Sequence, residues 1–265
     1  MTSSANSSLA RRFIGWVLPP LMLLIFVIVI WQLAVSMLQL KPFQLPSPTR
    51  VATAAWEKRT ELLNASGVTA VAAASGFFLS LTIGTIVGIV FSQSRTIARS
   101  VYPYAIFLQT VPIVAIAPII INWFGTGLAS VIVVSFIISL FPIITNMYAG
   151  LMAIDANLLE LFELHNATRW QTLIKLRLPS SVPSLVTGAK VAAGLSVIGA
   201  IVGEFFAGAT SLYGLGYLIP QALGQLKLDY GFAAVICSAL LGLAVFASVS
   251  MAGSTILRRW QTDMN

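Results

Sequence analysis

The chain has one cysteine, one histidine and very little charge, and each shortage removes a class of chemistry. Cys237 stands alone, so no disulfide framework can form, and with His165 as the single histidine no His/Cys metal cluster can be assembled. Charged side chains make up 9% of the 265 residues, against roughly 25% in an ordinary soluble domain. No P-loop, no His-x-x-x-His pair and no Ser/His/Asp arrangement is present. The tract Gly214-Leu215-Gly216 lacks the preceding strand of a dinucleotide site and reads as a turn on the outer face. Neither a catalytic set nor a metal site is expected, and the chain itself is not expected to be an enzyme or to hold a cofactor.

What is present is apolar. Hydrophobic residues reach 58% and the mean hydropathy is +0.92, a composition suited to a bilayer. Six segments approach the ~20 residues needed to cross one: 13–38, 68–91, 101–121, 128–147, 184–202 and 232–257. The expected fold is therefore an all-α membrane protein with six transmembrane helices. The first run is too long for a signal-peptide core and lacks a small-residue cleavage site, so it reads as an uncleaved helix after a tail over 1–12. Pro19 and Pro20 fall near its start, where a missing donor costs little. Pro103, Pro112 and Pro118 punctuate the third segment and predict kinks there, with neighbouring helices satisfying the freed carbonyls. The connection over 39–67 carries an amphipathic helix, VATAAWEKRTELLNA, on the outer surface, and 258–265 forms a second tail.

Lys and Arg set the orientation. With the N-terminus cytoplasmic, the inner side holds Arg11, Arg12, Arg95, Arg99, Arg169, Lys175, Arg177, Lys190, Arg258 and Arg259, leaving Lys41, Arg50, Lys58, Arg59 and Lys227 outside. The outer cations are interleaved with Glu57, Glu61 and Asp229. Both termini are expected inside, and the net charge of +7 reflects this distribution rather than affinity for nucleic acid. Gly76, Ser80, Gly84 and Gly88 recur every fourth residue, and Gly199 and Gly203 repeat the spacing, a small-residue pattern that lets helix backbones approach. Two ionisable residues lie close to or within spans. Lys190 is near enough to the cytoplasmic interface to snorkel, while Glu204 has two readings, lining an outward-facing vestibule or pairing with a cation such as Lys227.

One long polar island interrupts the apolar text at 155–183, between the fourth and fifth spans and hence on the cytoplasmic face. It reads as two short helices joined by a tight turn. The first, around 157–164, places Leu158, Leu161, Phe162 and His165 on one stripe with Glu160 and Glu163 off it. Asn166 tolerates the left-handed conformation that ends such a helix, and Thr168 with Gln171 forms a capping box that starts the second, which Pro179 is expected to stop. His165 reads as exposed or as a partner contact, and Trp170 as a docking knob or an interfacial anchor.

At these residues the chain resembles a family. The hairpin is similar to the cytoplasmic EAA loop of bacterial ABC-transporter permeases, entering at Glu160, passing Asn166-Ala167 and reaching Leu178-Pro179. The sequence LPSP at 45–48, the prolines Pro112 and Pro118 followed by WFGTG, Phe141-Pro142, the tract 188–205 ending in Glu204-Phe205, and GLG at 214–216 resemble the nitrate/sulfonate/bicarbonate branch. Nearly the whole chain from Leu45 onward is covered. Leu161 and Phe162 replace the usual two alanines and Asn166 the usual glycine, departures similar to those of permeases for vitamin precursors such as riboflavin or the pyrimidine of thiamine.

The resemblance implies a type I, MetI-like importer permease with its core over 68–257, multi-pass in the bacterial inner membrane, that carries a small anionic or vitamin-precursor solute. It implies a coupling role for Glu160, Leu161, Phe162, His165, Asn166, Ala167, Thr168, Arg169 and Trp170, seated in a separate ATPase that holds the ATP and Mg. Pro112, Pro118 and Glu204 are candidates for the translocation path. The implied complex has a second permease copy, two ATPases and an extracytoplasmic solute-binding protein. An ion-coupled secondary transporter is the alternative; it calls for inverted repeats and buried carboxylates, and Glu204 is the one acidic candidate in or near a span.

Overall fold

The computed structural model describes residues 3–94, 96, 99–100, 103–104, 107, 110–208 and 213–262, with the backbone alone at 3–17 and 259–262. Arg95 and the last three residues of the C-terminal tail lie outside the described residues, as do 101–102, 105–106 and 108–109 of the expected third span.

The elements are helical throughout. α1 runs over Ser3–Met37, so Pro19 and Pro20 fall inside the helix rather than in its first turn. α2 (Pro48–Glu57) starts on Ser47, whose hydroxyl accepts from Arg50 N at 3.4 Å, with a proline in the first turn where its missing donor matters least. The single amphipathic helix expected over 51–65 breaks at Lys58, and α3 (Arg59–Gln93) begins there, nine residues before the expected span. Arg59 holds the corner: its guanidinium lies 5.1 Å from the Trp56 ring centroid and donates to Trp56 O at 3.0 Å.

The expected continuous span over 101–121 is corrected. Val111 and Pro112 interrupt the helix, and α4 occupies only Ile113–Phe124. Pro112 has φ −62 and ψ 117, an extended conformation, so a new helix begins after it instead of an old one kinking. At 12 residues, α4 is about 18 Å long and falls short of a ~30 Å hydrocarbon layer. Among the described residues, five helices are long and apolar enough to cross a membrane, while much of the expected third span before Val111 lies outside them.

α5 (Leu128–Met152) leads to α6 (Ala156–Leu164) and α7 (Arg169–Thr172). Pro179 does not stop the hairpin's second helix. A π-helical turn over Leu173–Arg177 carries the chain into α8 (Leu178–Ala207) without a break. The wider turn, in which Leu178 N donates to Leu173 O, admits the proline ring where an α-helix would clash. α9 (Leu215–Gly224) and α10 (Leu228–Thr262) complete the fold.

The core is built on α5, which packs most extensively against α8 and next against α3. Gly76 sits directly over Ser135, and a Cβ there would lie 2.9 Å from Phe136 N. Gly84 and Gly88 take the same position over Ile143 and Met147, and Ser80 Oγ accepts from Ser139 Oγ at 3.0 Å. On the other side of α5, a Cβ at Gly199 would fall 2.6 Å from Ser135 Cα, and one at Gly203 would lie 3.0 Å from Val131 Cα. Backbones this close leave no room for a methyl group, and buried serines fill the remaining space while donating to helix carbonyls.

Gly199→Leu is therefore expected to overpack the α5–α8 contact at a cost of about 1–3 kcal/mol, read as a lower unfolding temperature by intrinsic tryptophan fluorescence in detergent. Gly194, with nothing within 4 Å of its would-be Cβ, serves as control: Gly194→Ala should leave the melt unchanged.

Candidate functional site

Two polar constructions stand at opposite ends of α8. The first is the hairpin. Asp155 Oδ1 caps α6 by accepting from Asn157 N at 2.9 Å. At the other end, Asn166 adopts φ +53; its N–H donates to Glu163 O and the Ala167 N–H to Phe162 O, both at 2.9 Å. These are the two bonds of a Schellman closure with Asn in place of Gly. His165 ends α6 and its Nδ1 donates to Leu161 O at 2.8 Å, so the imidazole closes the last turn of its own helix. Thr168 opens α7 with both arms of the capping box, Gln171 N to Thr168 Oγ1 at 3.2 Å and Thr168 N to Gln171 Oε1 at 2.8 Å.

The turn is thus locked by backbone and caps, since neither α6 nor α7 contains a buried residue. The anchor lies just beyond: Leu173 is buried against Met147 and Leu151 of α5, and Leu176 is buried in the same π turn. The expected apolar stripe leaves Leu158 and Leu161 exposed and Phe162 half-buried, while Glu160 and Arg169 are exposed. Leu164 and Trp170 are the most open apolar side chains of the hairpin, at 79% and 66% exposure. Ala167 and Arg169 line a cavity of about 380 Å³ with Glu163, Arg177 and two residues at the end of α3, Ser92 and Gln93. Ser92 and Gln93 carried no signal in the sequence, because only the fold brings the end of α3 beneath the hairpin.

The second construction surrounds Glu204, which is 5% exposed. Its partners are Thr69 Oγ1 on α3 at 2.9 Å and Gly216 N on α9 at 2.8 Å, not Lys227, so the ion-pair reading gives way to a helix-capping one. Thr69 Oγ1 in turn accepts from Leu215 N at 2.9 Å. Lys190, half-buried on α8, runs its stem past Gly253 of α10, with Cε 3.6 Å from where a Cβ at Gly253 would stand.

The three path candidates do not converge. Pro112 lines an apolar cavity of about 570 Å³ with Ile116, Ile137, Phe141 and Leu195 among its walls. Pro118 lies on the exposed side of α4, and Glu204 borders a separate cavity of about 20 Å³.

A bundle of long apolar helices joined by close backbone contacts is the architecture of an integral membrane protein. The chain belongs to the family of binding-protein-dependent transport system inner membrane components, whose sequence profile matches residues 80–258. It is 32% identical over 241 residues to the formylaminopyrimidine transport permease protein ThiX of Halalkalibacterium halodurans, covering 91% of this chain and 95% of that one. The riboflavin transport system permease protein RibX of Chloroflexus aurantiacus is 34% identical over 242 residues, covering 91% and 89%. Among solved structures, a chain of the inward-facing MetNI methionine ABC transporter superposes with a TM-score of 0.62 at 21% identity, over 77% of this chain and 98% of that one. The protein is therefore the permease subunit of a binding-protein-dependent ABC importer, a multi-pass inner-membrane protein, and its fold is MetI-like. In this family ATP hydrolysis resides on a separate subunit, and a binding protein is a further partner.

The hairpin's closure makes a specific prediction. Thr168→Ala removes one cap and should loosen α7 by about 0.5–2 kcal/mol, visible as faster hydrogen exchange at the amides of 169–172. Asn166→Gly should exchange no faster than the parent, whereas Asn166→Val, forced to φ +53, should exchange faster at 165–168.

Proposed function

We propose that the hairpin over 155–183 is the element through which this permease engages its ATPase, with Glu160, Leu161, Phe162, His165, Asn166, Ala167, Thr168, Arg169 and Trp170 at the contact. The observation that carries this reading is the exposure of Leu158, Leu161, Leu164 and Trp170 on two short helices that are locked by caps and contain no buried residue. Apolar side chains held rigidly outward at an aqueous end are a prepared interface. The count of Lys and Arg supports a cytoplasmic location for the hairpin and both termini. ATP and Mg bind on the ATPase, two copies of which pair with two permeases.

The second permease copy is supported by α1: no residue in its membrane-crossing window is buried against the rest of its own chain. The path for solute runs beside the cavity at Pro112, whose described walls, apart from Thr110, are apolar. A lining without a cation favours a neutral heteroaromatic solute of the vitamin-precursor kind over a small anion, in line with the names of the two relatives above. An ion-coupled transporter would need a carboxylate free to bind and release its ion, and Glu204 is instead tied to two helices.

Ala167→Arg places a long cation in the half-buried centre of the hairpin and should abolish co-purification of the ATPase while the permease itself still elutes as a single species. Undiminished assembly and uptake would sink the docking assignment. For the solute, proteoliposomes carrying the complete importer should accumulate a labelled aminopyrimidine or flavin and exclude an alkanesulfonate; sulfonate uptake alone would reverse the choice.

A further inference from the structure

The cavity of about 380 Å³ at the base of the hairpin stands at a particular depth. The apolar run of α3 stops at Phe91, and the next two residues, Ser92 and Gln93, belong to the cavity wall. That change of composition marks the edge of the hydrocarbon layer, so the cavity sits at the level of the lipid headgroups. The rest of its polar wall is Arg169 and Thr172 of α7, Arg177 of the π turn and Glu163 of α6.

The donors in this wall are unequally occupied. Ser92 Oγ donates to Ile89 O at 2.7 Å and Thr172 Oγ1 to Thr168 O at 3.2 Å, so both hydroxyl protons are used within their own helices. Gln93 gives one amide hydrogen to Ser92 Oγ at 2.9 Å. The arginines differ: among the described residues neither guanidinium forms an ion pair, with Glu163 or with any other carboxylate. Two guanidinia against one carboxylate leave the described wall with an excess of one positive charge. Arg177 is half-buried, a position where an unpaired guanidinium gains more from an anion than it does in open water.

The face of α3 that runs from the cavity into the bilayer is exposed as well. Leu79, Ile83, Ile86 and Val90 follow one another at four- and three-residue intervals up to Gln93, and all four are uncovered by the rest of the chain. An apolar stripe that ends at a cationic cavity has, in order, what the chains and the head of an acidic lipid require. The single excess charge matches a phosphodiester headgroup without an ammonium of its own.

We propose that this cavity holds the headgroup of one anionic phospholipid, its phosphodiester bridging Arg169 and Arg177 and its chains lying along the α3 stripe. A lipid so placed joins the end of α3 to the base of the hairpin. The site requires the membrane reading and a hairpin that faces the cytoplasmic leaflet, and it is independent of what docks on Leu164 and Trp170. Arg169 borders both this cavity and the proposed ATPase contact, so Arg177 is the residue to test.

Native mass spectrometry of the full-length permease reads occupancy directly, with the protein released from micelles that hold equal phosphatidylglycerol and phosphatidylethanolamine of matched chains. The parent should retain one phosphatidylglycerol per chain, preferred about tenfold, the factor to which one hydrogen bond to a charged group corresponds. Arg177→Gln should lose that preference. Lys175→Gln should keep it, since it removes the same charge from an exposed residue of the same turn that is not among those lining the cavity. Gln93→Glu, at an exposed position, should evict the lipid by placing a second carboxylate in the wall, and it decides the matter if Arg177→Gln fails to fold. Equal retention of the two lipids by the parent, or equal losses in Arg177→Gln and Lys175→Gln, overturns the site. So does loss of the ATPase from Arg177→Gln with lipid retention unchanged, which gives the cavity to a carboxylate of the ATPase. The lipid measurement contains no ATPase, so its failure and that of the Ala167→Arg co-purification remain distinct.

Discussion

Ser135 is the point on which the bundle is assembled. It is buried in the middle of α5, with Gly76 of α3 over one side, Gly199 of α8 over the other, and its hydroxyl donating to Ser196 O at 2.8 Å. In a bilayer, apolar side chains gain little by leaving lipid for protein, so helices associate through close backbone approach and through buried polar donors. α5 supplies both at one residue. Once α3 and α8 are held on either side of it, their far ends have little freedom. Thr69 and Glu204 meet at one end, and Ser92 and Gln93 line one cavity with Arg169 and Arg177 at the other.

Much of this was legible in the sequence because it rests on local rules. The four-residue spacing of Gly76, Ser80, Gly84 and Gly88 pointed to a helix seam, and those residues lie against Ser135, Ser139, Ile143 and Met147. Thr168 and Gln171 announced a capping box, and Asn166 a left-handed helix end; both are present. Each depends on residues within a turn of one another, which is the range over which sequence alone carries geometry.

The readings that changed are those that depend on more distant neighbours. Pro179 reads as a stop and Pro112 as a kink, and neither expectation holds. The π turn over Leu173–Arg177 absorbs Pro179, while Val111 and Pro112 divide the third segment outright. Hydropathy cannot register either event, because it is blind to which carbonyl a proline ring would strike. Glu204 has two readings in the sequence, lining a vestibule or pairing with a cation such as Lys227; in place of the cation it bonds to a threonine 135 residues away and to an amide that only a glycine turn could bring so close. The path candidates Pro112, Pro118 and Glu204 shared a motif pattern but lie at different places in the bundle, Pro112 and Glu204 beside separate cavities.

The π turn has a mechanical consequence. Because helix runs unbroken from Arg169 to Ala207, the short helix of the hairpin and the buried carboxylate are two ends of a single rod. At 39 residues the rod is about 58 Å long, so a tilt of about 5° displaces one tip by roughly 5 Å relative to the other. No chain of side-chain rearrangements is required to carry such a displacement through the bilayer. The widened turn, with Pro183 just beyond it, is where the rod is softened, and its stiffness sets how much of a small rotation at the aqueous end survives to the far side.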